Sequence, residues 1–314
     1  MDIKAWIFLF RPWSYTATLV PFLLAAAVGL HSDGPFWGHW AIGLVSGLLF
    51  QATVNLLNTW GDERSGVDNA PGAIRTTPQV HDGLVSLQAV LVAALACAAL
   101  AGASGLALTL YRLDGIWHVN WPLFVAGFVG FLGSTNYSTG IKFKYRGLGV
   151  PFVSFLMGPL EIFVAFALLL PDKTMPLLRS LADPTFLLTA ALVTLPIAAL
   201  VGVIMHGNDM RDISSDRAAG IVTLASRLGP KGALRYYRFC HLLPYGIALL
   251  LCFTRSPWAL LPFLVLPLSL RTLRKAALTY AQSPDNPPWR KLERASGRIH
   301  LLFGALYALA FALP

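Results

Sequence analysis

The stretch TFLLTAALVTLPIAALVGVIMHGNDMRDISSD, residues 185–216, decides the architecture. From Thr185 to His206 it holds no acidic or basic residue other than that last histidine. Roughly 20 such residues cross the hydrocarbon of a bilayer as a helix. The run then breaks into Asn208, Asp209, Arg211, Asp212 and Asp216. Charges of this kind are too costly to leave facing lipid. The segment reads as a membrane span that delivers carboxylates to one face of the membrane.

Eight further segments resemble it in length and character, at about 14–31, 39–59, 84–111, 119–138, 148–170, 236–253, 257–273 and 297–313. The run at 84–111 is long enough to tilt or to extend past the membrane. Those at 236–253 and 257–273 are joined by a tight turn at Arg255-Ser-Pro. Of the 314 residues, 56% are hydrophobic and 12% charged, against about 25% charged in a soluble domain. The mean hydropathy is +0.62. The expected fold is an all-α, polytopic membrane protein of about nine transmembrane helices, a single unit over 1–314. The N-terminus carries no small-residue cleavage site and reads as a retained first helix. Cys97, Cys240 and Cys252 all lie in apolar stretches without a CxxC or Cys/His cluster, which argues against a disulfide framework or zinc.

The formal charge of +9 is explained by topology. Twenty of the 24 Lys and Arg fall at the N-terminus or in the loops after the second, fourth, sixth and eighth segments. Only Arg112, Lys173, Arg179 and Arg255 fall on the other side. Basic residues collect on the cytoplasmic side, so the N-terminus and those loops are expected there, and no nucleic-acid partner is required. A Lys/Arg count of this kind says nothing about oligomeric state.

Acidic residues break the pattern. Of 15 in the chain, Asp62, Glu63, Asp68, Asp82, Asp209, Asp212 and Asp216 occupy two of these same basic loops. The clusters are alike: a shift of 150 residues lays Asn58 on Asn208 and Asp62 on Asp212. Such an echo suits a duplicated helical unit, with halves at about 1–145 and 146–295. Residues at i, i+4 and i+8 share a helix face, so Asn58 and Asp62 are expected on one face and Asn208, Asp212 and Asp216 on another. Two facing oxygen clusters repel unless cations lie between them. Mg²⁺ characteristically takes one or two carboxylates and completes its shell with phosphate oxygens. Interleaved Arg64, Arg75, Arg211 and Arg217, with Lys142, Lys144, Tyr145 and Arg146 from the fourth loop, suit a Mg²⁺–diphosphate.

At three strings the chain resembles the UbiA superfamily of intramembrane prenyltransferases: NLLNTWGDERSGVD (55–68), YRGLGVPFVSFLMGPL (145–160) and NDMRDISSDRAAGIVTLASRLG (208–229). RPWSYTATLVPFL (11–23) matches more loosely. Within the superfamily the likeness is greatest to the 1,4-dihydroxy-2-naphthoate polyprenyltransferases of menaquinone synthesis. The resemblance implies nine helices around a central cavity that opens sideways to lipid. It implies Mg²⁺ and a polyprenyl diphosphate held by Asn58, Asp62 and Asp68 in one motif and Asn208, Asp212 and Asp216 in the other. Lys142, Tyr145, Arg146 and Arg75 fall where the family places contacts to the diphosphate, with Arg211 beside them. The sequence departs from the family at Thr59, where an Asp is common, and at Val150, where the naphthoate group carries an acid.

Asn55, Glu161 and His206 are candidate contacts to an aromatic acceptor. Glu161 is an intramembrane carboxylate, which is a functional hypothesis by default, and the alternative is a structural hydrogen-bonding role. The expected activity is prenyl transfer from polyprenyl diphosphate to an aromatic acceptor, with 4-hydroxybenzoate, homogentisate, a lipid alcohol or cyclisation of the prenyl chain as alternatives. A divalent-cation transporter would place its acids near the midplane, which this chain does not do. The expected location is a bacterial inner membrane.

Overall fold

A computed structural model describes residues 2–65, 78–138, 140–218 and 220–314, with the side chains of Asp62, Ser65, Pro78 and Ser138 outside that description. Backbone N–H and C=O groups find no water in lipid, so long apolar runs close into helices that satisfy them internally. The helices are α1 (Ile3–Phe10), α2 (Thr16–Gly29), α3 (Trp37–Ser65), α4 (Leu87–Ala107) and α5 (Trp121–Ser138). There follow α6 (Gly149–Leu169), α7 (Pro184–Arg211), α8 (Ile213–Ala218), α9 (Leu224–Thr254), α10 (Leu266–Gln282) and α11 (Leu292–Ala312).

All nine predicted segments are helical, but fewer qualify as crossings. Among the described residues six helices, α3, α4, α6, α7, α9 and α11, are long and apolar enough to span a membrane. The pair α1–α2, bent by 46° at a break around Tyr15, makes a seventh. The segment predicted at 257–273 begins as a 3₁₀ stretch, Pro257–Val265. It continues as the amphipathic α10, which turns Ser269, Leu273 and Ala276 inward and Arg271, Arg274 and Lys275 outward. The predicted 236–253 begins earlier, at Leu224, and kinks at Gly229, whose φ of 66° precedes Pro230.

Two expectations need correction. The long run at 84–111 is α4 followed by a strand, and the fold is therefore not purely helical. Strands β1 (Leu110–Leu113) and β2 (Ile116–Val119) form an antiparallel hairpin with Leu113 opposite Ile116. Asp114 and Gly115 both have positive φ, 50° and 80°. That is the two-residue turn whose twist matches paired strands, and Asp-Gly is a favoured sequence for it.

The helices pack through small residues, since lipid offers no hydrophobic force to press them together. A Cβ at Gly158 of α6 would meet the Ala198 backbone of α7 at 2.8 Å. Gly207 of α7 likewise faces the first turn of α11, with Glu293 N at 3.0 Å from a Cβ built there. Helix α7 sits centrally against α9, α11 and α6, while α2 packs on α11 and α3 on α4. Around this core Leu95, Leu106, Leu188, Phe239 and Phe253 stand exposed. In water such faces would aggregate; here they meet acyl chains. Helix α6 widens to a π turn at Leu156–Leu160, where Pro159 supplies no N–H to the regular ladder.

Candidate active site

Helix α3 runs unbroken to Ser65, so Asn58 and the backbone of Asp62 lie one turn apart on one face. Asn55, a turn before, donates through Nδ2 to Phe10 O and to Ser14 Oγ, both at 2.9 Å. This ties the bend between α1 and α2 to α3. Thr59 is fully buried. Its hydroxyl donates to Asn55 O at 3.2 Å and accepts from Arg11 Nη2 at 3.4 Å, so it holds the same bend.

The second cluster does not continue on one straight helix. Helix α7 ends at Arg211, and Asp212 leaves helical geometry with φ −100° and ψ 8° before α8 begins. The ladder survives the bend, since Asp212 N donates to Asn208 O and Asp216 N to Asp212 O. Asn208, Asp212 and Asp216 therefore still face one space, along with Asp209. That space is a cavity of about 260 Å³ with Asn58 on its opposite wall. Its carboxylates are Asp209, Asp212, Asp216 and Glu293, and its cations are Arg11, Lys144, Arg211 and Arg294.

Arg211 is clamped onto Asp212 by two parallel hydrogen bonds, Nε to Oδ1 at 2.7 Å and Nη2 to Oδ2 at 2.6 Å. Fork-on-carboxylate pairs are among the stronger charge-assisted contacts. Glu293 Oε1 approaches the same guanidinium at 4.0 Å, while Glu293 Oε2 is buried without a partner. Arg294 lays its guanidinium 4.4 Å above Trp13 and 5.7 Å from Phe8. Both residues come from the first turn of α11, outside either motif, and nothing in their local sequence marks them.

The other predicted contacts divide. Asn55, Asn58, Asn208, Arg211, Asp212 and Asp216 line the cavity. Lys142, Tyr145 and Arg146 do not; from that loop Lys144 is the residue that reaches in. Lys142 sits in left-handed backbone with φ 59° and is exposed, so its ammonium reaches back only over the Tyr145 ring, at 6.0 Å. Arg146 is also exposed and is held through its carbonyl by Arg227 Nη2 at 2.8 Å. His206 lies behind the wall, bonded through Nε2 to Ala233 O at 3.0 Å and edge-on to Tyr236. Val150 is buried against Gly202, so no acid stands there. Asp68 and Arg75 lie outside the described residues, as does the Asp62 side chain.

Above the polar cavity, toward the bilayer interior, lies a second chamber of about 380 Å³. The two meet at Ser134, Leu156 and Met157, which line both. The second is walled by Phe22, Phe50, Phe128, Phe131 and Val164, and Glu161 is its charged member. Gly102 on α4 and Gly127 and Gly130 on α5 also line it, and a Cβ on any of them would meet nothing within 4 Å.

Among the described residues no three carboxylate, imidazole or thiol groups converge as a closed metal cage. Such an open donor set fits Mg²⁺, which completes its shell with water and phosphate oxygens. Asp212 and Asp216, with Asn208 and Asn58 across the cavity, are hard oxygen donors, and Arg211 occupies the Asp212 carboxylate as a cation would.

A helical membrane protein with a carboxylate-rich polar cavity opening into an apolar chamber is built for an amphipathic ligand with a polar head. The UbiA prenyltransferase family model matches residues 18–307, and the chain belongs to that family. It is 30% identical over 312 residues to UbiA prenyltransferase domain-containing protein 1 of Ailuropoda melanoleuca, covering 98% of this chain and 84% of that one. The homolog of the same protein in Drosophila melanogaster is 29% identical, covering 99% and 80%. These relatives are animal proteins and lend no support to the bacterial membrane expected from the sequence. Among solved structures, a UbiA homolog from Archaeoglobus fulgidus bound to GPP and Mg²⁺ superposes with a TM-score of 0.58 at 16% identity, covering 98% and 99%. A UbiA homolog from Aeropyrum pernix K1 superposes with 0.59 at 15% identity, covering 93% and 96%. The chain is thus a membrane-embedded prenyltransferase of the UbiA family.

Proposed function

We propose that the protein transfers a polyprenyl group from its diphosphate to an aromatic acceptor of the 1,4-dihydroxy-2-naphthoate type, giving the prenylated quinol of menaquinone synthesis. The observation behind this reading is the continuity of the two chambers. One end holds carboxylates and guanidinium groups for a diphosphate, the other aromatic and glycine surface for an isoprenoid, and they join at Met157.

Asn58, Asp62, Asp68, Asn208, Asp212 and Asp216 are assigned to hold Mg²⁺, which when bound neutralises the diphosphate and stabilises it as a leaving group. Arg211 and Lys144 face the same space and bind phosphate oxygens not covered by the metal. Asp212 would release one face of Arg211 as it takes metal, and Glu293 keeps that guanidinium in the cavity. The apolar chamber excludes water from the allylic carbon as its C–O bond breaks, so that the aromatic ring is the nucleophile it meets. The acids lie on the face that carries 20 of the 24 Lys and Arg, so the active site and N-terminus face the cytoplasm.

The test incubates the protein in lipid nanodiscs with a labelled polyprenyl diphosphate, Mg²⁺ and 1,4-dihydroxy-2-naphthoate. A metal-dependent prenylated naphthoquinol is the expected product. Diphosphate release with no naphthoate product would discard the acceptor and keep the class. A cyclic terpene formed without acceptor would replace transfer by cyclisation.

A further inference from the structure

Two polar atoms in the apolar chamber have no partner. Thr18 Oγ1 and Glu161 Oε2 are both shut off from solvent, and neither closes a hydrogen bond. They are neighbours across Gly47. Gly47 faces both, since a Cβ there would lie 2.9 Å from Thr18 Cγ2 and 3.7 Å from Glu161 Oε1. All three residues line the chamber. Ser46 beside them is engaged, donating to Ala101 O at 3.0 Å. A buried carboxyl and a buried hydroxyl left unpaired are costly, and an isoprenoid tail offers neither a donor nor an acceptor.

We propose that Thr18 and Glu161 form the seat for a ring hydroxyl of the aromatic acceptor, which donates to Glu161 Oε2 and accepts from Thr18 Oγ1. A phenolic hydroxyl has one donor and free lone pairs, and so it satisfies both orphans at once. The seat is placed for reaction. Glu161 follows Met157 by four residues and Gly47 precedes Gln51 by four, and both Met157 and Gln51 line the polar cavity. Four residues are about 6 Å along a helix, a distance that a two-ring acceptor spans. Anchored by one hydroxyl at Glu161, the ring presents its far edge at the mouth where the diphosphate holds the allylic carbon. This seat rests on the proposed aromatic transfer, and it names the residues that choose the acceptor.

The test is equilibrium binding under anaerobic conditions, without prenyl diphosphate, of 1,4-dihydroxynaphthalene against its dimethyl ether, which lacks donors. Wild type is compared with Glu161→Leu, Glu161→Gln and Thr18→Val, with Mg²⁺-dependent binding of inorganic diphosphate as a control for the fold and the polar cavity, which neither residue lines. Wild type should favour the diol about tenfold. Glu161→Leu should abolish the preference, Thr18→Val should lower it at least threefold, and Glu161→Gln should keep most of it because its amide oxygen still accepts. Inorganic diphosphate binding should not change. A preference absent from wild type, or intact in Glu161→Leu, overturns the seat. Should Glu161→Leu lose inorganic diphosphate binding and so be misfolded, Thr18→Val decides, and an unchanged preference there overturns it. Hydroxyl-selective binding through Glu161 in a protein that prenylates no aromatic keeps the seat and discards the aromatic transfer; transfer without that selectivity does the reverse.

Discussion

Arg211 and Asp212 are adjacent in sequence and mutually neutralised in space, so each holds the other ready. Asp212→Ala removes a proposed metal ligand and frees a guanidinium beside the phosphates. We expect kcat/KM to fall by at least about 100-fold, with the helical circular dichroism unchanged. Excess Mg²⁺ should not restore it. Glu293→Gln is a milder change: it removes the distant charge that steadies Arg211 without touching a ligand. The expected result is a rise of about fivefold in KM for the prenyl diphosphate with kcat nearly constant, the signature of lost ground-state and transition-state binding alike. Equal loss in Glu293→Gln and in a Glu293→Gln/Arg211→Lys double variant would show that the two residues act as one unit. A kcat effect with unchanged KM would count against the assignment.

Between elements, the decisive contacts are made by residues without side chains. Gly102 and Gly127 line the apolar chamber with open space over their Cα atoms. Gly102→Phe or Gly127→Phe should therefore fold normally and shorten the prenyl group accepted. Geranyl diphosphate would still be consumed while long polyprenyl diphosphates would not, read by product chromatography over a chain-length series. Gly158 is the contrary case, because a side chain there would strike the Ala198 backbone. Gly158→Leu should lower the unfolding temperature in detergent by several degrees, as overpacking costs about 1–3 kcal/mol. Sequence reading located the helices that carry these glycines but could not tell the two kinds apart, since tight packing and empty space are properties of the neighbouring helix. The hairpin is marked in the sequence by Asp114-Gly115, a favoured two-residue turn, while the apolarity of Leu110 and Tyr111 joins them to the preceding span. The common direction of Asp212 and Asp216 is legible because each N–H still reaches four residues back across the bend, and that spacing is local in sequence. Lys144 was not separated from Lys142, because the left-handed backbone at Lys142 that sets their directions leaves no periodic signal.

For the molecule as a whole, the proposed orientation rests on the Lys/Arg distribution. In a variant with Cys97, Cys240 and Cys252 replaced by Ala, a cysteine at Ser283 should react with an impermeant maleimide only from the cytoplasmic side, and one at Trp117 only from the other. The opposite pattern would invert the proposed topology. Glu293 and Arg294 could not be read from sequence at all, because only the closed fold brings α11 to the motifs. Arg294 stacks on Trp13, and His300 Nδ1 lies 3.2 Å from Thr16 Oγ1, so the two ends of the described chain meet at the cavity. That meeting imposes an order in time. A ribosome completes both aspartate motifs long before it reaches α11, and a nascent chain at that stage owns its ligands but lacks a wall of the vessel. Neither half of the echoed sequence closes the cavity by itself, and the vessel is complete only when α11 is in place.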